Sequence, residues 1–135
     1  MRILAIYVGG GCTEWCSVVN EAVTGGVLPG DGMWSLVEQA IDQGLLGSDE
    51  DPLSIAVGGA IPHDHKIDLQ TWEVATPGAE VVFYSGWEVA DCCRAIRRAT
   101  GPVFAALHRH GLLDPEAPMR RAAAIALGLA HRLSS

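Results

Sequence analysis

No stretch of this chain stays apolar for the roughly 20 residues that a bilayer span takes. The opening run Met1-Arg2-Ile3-Leu4-Ala5-Ile6-Tyr7-Val8 is also too short for the apolar segment of a secretion signal and its cleavage site. Internal repeats and low-complexity tracts are missing, which excludes solenoids and compositional linkers. Lysine is nearly absent: Lys66 stands beside eight arginines, a bias that, with abundant Ala and Gly, we attribute to a GC-rich bacterial genome. Together these absences lead us to expect a cytoplasmic protein with no membrane attachment.

What remains is a globular composition. The chain has 135 residues, 49% of them apolar, the size of a single domain spanning residues 1–135. A chain of this length buries about two-thirds of its unfolded surface and needs no staples. Cys12, Cys16, Cys92 and Cys93, without a secretion signal, read as thiols. Formal charge is −7, unevenly spread. Residues 1–91 carry fourteen acids against Arg2 and Lys66, a balance of −12, whereas residues 92–135 carry seven arginines against Asp114 and Glu116, a balance of +5. Either the basic tail packs on the acidic body, or the surface has two poles that steer partners or stack subunits.

Periodicity predicts an α/β fold, with α+β as the alternative. A buried strand over residues 2–8 ends at Gly9-Gly10-Gly11. Trp15, Val18, Val19, Ala22 and Val23 recur at helical spacing behind Thr13 as N-cap, predicting a helix to about Thr24. A second helix is expected over Met33–Gln43, then an exposed acidic loop at residues 47–52. Strands are expected at Leu53–Ala60, Lys66–Val74 and Glu80–Tyr84, the last two as a hairpin around Thr76-Pro77-Gly78. Helices follow at Trp87–Ala99, at Val103–His110, and from after Asp114 to about Leu133. The count is about four strands in a mixed sheet and about five helices, in the order β-α-α-β-β-β-α-α-α.

Three constellations carry chemical interest. Gly9, Gly10 and Gly11 leave a strand and, on this reading, open a helix. Amides that hold anions gather there, and the same position favours a thiolate at Cys12. Cys12 would then be a nucleophile, with Ser85 facing it across a crevice beyond the strand ends and Tyr84 and Trp87 as its walls. No Walker or dinucleotide-binding pattern follows, and no partner His is identifiable. Separately, His63-Asp64-His65 after Gly58-Gly59 and Pro62 resembles the first metal motif of cupins; on a strand both imidazoles would reach one ion. The expected Glu and second His motif are absent. Finally, Arg94, Arg97, Arg98, Arg109, Arg120, Arg121 and Arg132, with a winged-helix cadence over residues 102–113, raise nucleic acid. We set it aside because the protein is acidic overall and no basic wing follows.

The order of elements over residues 1–104, with Gly11-Cys12…Trp15 and Asp51-Pro52-Leu53…Val57-Gly58, is loosely similar to the small subunit of cobalamin-dependent diol dehydratase reactivases. The Asn-Ala-Ala-Arg of that family is missing, and no function is carried over. The terminal segment weighs more: Ala122, Ala123, Ala124, Ala126, Gly128 and Ala130 make a slim helix that another helix can approach closely. The leading expectation is a non-catalytic accessory protein acting through a protein partner or as a homo-oligomer by that helix. The alternatives are a thiol-dependent enzyme at Gly9–Cys12 and a metal-binding protein at His63 and His65. No cofactor is assigned.

Overall fold

The computed structural model describes residues 2–30, 35 and 53–134. Its centre is a five-stranded mixed sheet of order β3-β2-β1-β4-β5. The strands are β1 (Arg2–Gly9), β2 (Cys12–Val19), β3 (Ala22–Pro29), β4 (Leu53–Gly59) and β5 (Glu80–Tyr84). Four α-helices are seen among the described residues: α1 (His63–Ala75), α2 (Gly86–Ala95), α3 (Pro102–Arg109) and α4 (Arg120–Ser134), with a 3₁₀ turn at Ile96–Arg98 after α2. The α/β class holds, and β1 is the central strand, buried on both faces as its unbroken apolar run predicts.

The helix expected from Thr13 to Thr24 is instead two strands. β1, β2 and β3 form an antiparallel meander whose first connection is Gly10-Gly11, both residues with positive φ (62° and 76°) and flanked by the Gly9–Cys12 pair. Two consecutive left-handed residues make a tight turn whose twist matches that of the strands it joins. Asn20, with φ of 55°, turns the chain again before β3. Thr, Trp, Cys and Val favour a pleated surface, and their helical spacing here was coincidental.

The second misreading is at residues 66–74, where helix α1 replaces the expected strand. No hairpin forms; β5 pairs parallel to β4, and α1 is the crossover between them. Leu69 is the buried anchor of α1 on the sheet. Lys66 Nζ lies 5.0 Å from the Phe83 ring centre, and the Glu73 carboxylate accepts the Val81 N–H. The last helix starts at Arg120 rather than just after Asp114. The expected Met33–Gln43 helix, apart from residue 35, and the acidic loop at 47–52 lie outside the described residues.

Alternation divides the core in two. One face of the sheet presents Leu4, Ile6, Val8, Ile55 and Val57 to Leu69 and Trp72 of α1. The other presents Ile3, Ala5, Cys16, Val18 and Ala56 to α2, α3 and above all α4. Nearly every side chain of α4 from Ala122 to Ala130 is buried. A helix apolar on all sides belongs inside a fold, so the small residues of α4 pack on their own sheet rather than forming an interface. At Gly58 an added Cβ would stand 2.6 Å from Val89 Cγ2 and 3.0 Å from Ile125 Cδ1; at Gly128 it would stand 2.7 Å from Cys92 Sγ. These two glycines let α2 and α4 close on the sheet and on each other.

Candidate functional site

The carboxyl ends of β1, β4 and β5 lie at one edge of the sheet, since the three run parallel. Gly9, Gly10, Gly11, Tyr84 and Ser85 are therefore at the same end of the molecule. However, β4 stands between β1 and β5, so the glycine turn and Ser85 do not flank one shared crevice as adjacent strands would. Cys12 opens a strand, not a helix, which removes the helix-terminus argument for a thiolate. Its Sγ donates to the Gly9 carbonyl at 3.4 Å. Ser85 caps α2: its Oγ accepts from the Glu88 N–H at 3.2 Å, and the Glu88 carboxylate accepts from the Ser85 N–H at 3.1 Å. Trp87, expected to wall a crevice, is 82% exposed.

His63 and His65 sit in the first turn of α1. Two residues apart on a helix is a rotation of about 200°, so the strand geometry that would aim both imidazoles at one ion is lost. Among the described residues no three His, Cys, Asp or Glu side chains gather to hold a metal ion.

One residue row on the α4 side of the sheet was not foreseen. Glu14, Tyr7, Gly58 and Tyr84 are successive cross-strand neighbours. Glu14 is only 3% exposed; its carboxylate accepts from the Arg121 N–H at 3.2 Å and meets the Arg121 guanidinium at 3.4 Å. That guanidinium lies 5.1 Å over the Tyr7 ring. The cluster ties the start of α4 to β1 and β2. Burial pushes the Tyr84 hydroxyl above its ordinary pKa, with neighbouring Cys92 adding to the effect. Burial also pushes the Cys16 thiol up to about 12, and the Cys92 thiol up to about 11, there with help from Cys93, Asp91 and Glu88.

The arginines make the other concentration of chemistry. Arg94, Arg97 and Arg98 occupy the last turn of α2 and its 3₁₀ extension, where cations suit the helix dipole. The chain leaves them at Gly101, whose φ of 103° lets it turn into α3. Arg120 joins from the first residue of α4, its Nε donating to the Leu113 carbonyl at 3.4 Å. Together with Cys93 these four arginines line an open hollow of about 410 Å³. Asp91 pairs with Arg94; among the described residues Arg97, Arg98 and Arg120 have no carboxylate partner. Four guanidinium charges against one carboxylate leave a local excess of three. Guanidinium forks match phosphate oxygens in pairs. The signal was legible in Arg97-Arg98, Arg120-Arg121 and the basic balance of the last third, but a net charge taken over the whole chain hid it.

No family model matches this sequence, and no curated protein matches it. Among solved structures, RuvC of T. thermophilus, in complex with Holliday junction substrate, aligns over 99% of this chain and 95% of its own at 18% identity and a TM-score of 0.49. The fowlpox virus Holliday junction resolvase aligns over 99% of both chains at 13% identity and a TM-score of 0.47. These neighbours are named for Holliday junctions, whereas the sequence pointed to a non-catalytic accessory protein working through protein–protein contact and set nucleic acid aside; that expectation is not carried further. The burial of α4 removes the helix on which the homo-oligomer or partner contact had been placed. Among the described residues no helix is long and apolar enough to cross a membrane.

Proposed function

We propose that the protein binds nucleic acid by its phosphate backbone, through the hollow formed by Arg94, Arg97, Arg98 and Arg120. The observation that carries this is the excess of guanidinium charge around one open hollow. Non-specific affinity for nucleic acid comes mainly from neutralising phosphates, and it depends on local rather than total charge. An overall charge of −7 confines attraction to this pole and repels a polyanion elsewhere, which orients the bound strand. Four free thiols suit a reducing, cytoplasmic setting. The solved structures named above belong to proteins whose stated substrate is junction DNA, the same class of ligand.

Fluorescence anisotropy with a labelled oligonucleotide at low salt tests the proposal. The wild type is expected to bind, and the double variant R97A/R98A to lose about tenfold or more, since charge-assisted hydrogen bonds contribute about 1.5–3 kcal/mol each. Both arginines are exposed, so circular dichroism of the variant should match the wild type. Equal affinity of the two proteins would remove the hollow as the binding surface.

A further inference from the structure

Trp87 is 82% exposed, although a tryptophan carries one of the largest apolar surfaces available to a side chain. It belongs to the same helix as the arginine hollow. Trp87, Asp91 and Arg94 stand at positions i, i+4 and i+7 of α2, one stripe of the helix. The pairing of Asp91 with Arg94 shows that this stripe is continuous. Trp87 therefore lies two turns, about 10 Å, from the first arginine of the hollow. The capping box of Ser85 and Glu88 fixes the turn that carries it, so the ring is presented from a rigid helix rather than a loose loop. The Asp91 carboxylate between the two is neutralised by Arg94, which lowers the repulsion a passing phosphate would meet.

From this juxtaposition we infer that the surface is built for unpaired nucleic acid: a base stacks on Trp87 while the neighbouring phosphates enter the arginine hollow. The inference rests on the proposed nucleic-acid binding and deepens it. An exposed indole beside a cationic track is how sequence-tolerant single-strand binders work, because every base has a face to stack, whereas bases inside a duplex have none free. Asp91 sets the strength of the track: with its charge gone, Arg94 would be released toward phosphate.

The test compares an oligothymidylate of about 16 nucleotides, the same strand with abasic sites, and a duplex of equal length, each against wild type, W87A, W87F and R97A/R98A. The expected result is that W87A binds the single strand about 5- to 150-fold more weakly, the span that stacking on one aromatic side chain carries. W87F retains most of the affinity, the abasic strand binds wild type and W87A alike, and duplex affinity is unchanged by W87A. If W87A binds the intact strand as well as the wild type does, while R97A/R98A remains impaired, the stacking inference is overturned and the arginine site stands. If the wild type binds none of the three nucleic acids, both are overturned.

Discussion

Glu14 shows how much a single residue depends on the element assigned to it. On a helix it would be one more solvated acid; in β2 it points under α4 and pairs with Arg121. Nothing in the sequence marks it, because a polar residue reveals burial only when the period around it is read correctly. The thiols allow a test at the same scale. Cys16 and Cys92 both have raised pKa values in the fold, to about 12 and about 11 against an ordinary 9.0. The folded state thus holds these protons more tightly than the unfolded chain does. Their contribution is fully present below pH 9 and declines as pH rises from there toward the folded values, at up to about 1.4 kcal/mol per unit for each thiol. Urea unfolding between pH 7 and 10.5 should show this loss, and Cys16→Ala, weaker at neutral pH from the methyl-sized void it leaves, should show a flatter profile.

Among the elements, β1, β4, β5, α2 and α3 were legible in sequence because each carries a long apolar run or a capped, periodic stretch. β2 and β3 were not, since Trp15, Val18, Val19, Ala22 and Val23 fall at helical spacing once the turn at Asn20 is overlooked. Gly10-Gly11 was the stronger local clue: two glycines between two β-branched stretches signal a hairpin more firmly than they signal a helix start. Both turn glycines have open space where a Cβ would go. Substitution there is therefore a matter of backbone conformation alone. Gly10→Val should lower stability by about 1–2 kcal/mol, and Gly10→Asn by less, because Asn tolerates the left-handed region. Thermal melts of the two variants would separate this from a packing effect, which would penalise both by size. The strand expected at residues 66–74 failed for the reverse reason: the brief alternation of Ile67 and Leu69 outweighed Leu69 and Trp72, whose i, i+3 spacing anchors α1.

At the scale of the whole molecule, Arg121 and Arg132 of the basic end pair with Glu14 and Glu80 of the acidic body, while the arginines of the hollow form a shape the sequence did not reveal. Arg120 reaches Arg94, Arg97 and Arg98 only because α4 folds back beside α2, more than twenty residues later. Binding governed by three or four such contacts should weaken with salt along a log–log slope of about −2 to −3 for single strands. Titrations at several chloride concentrations check this, and a slope near zero would point to contacts other than phosphate. During synthesis, β1 leaves the ribosome more than a hundred residues before α4, yet α4 is what covers the Ile3–Ala5 side of β1. A nascent chain paused before Arg120 carries a sheet whose apolar side lacks its main cover, a surface that chaperones and other unfinished chains would both find sticky.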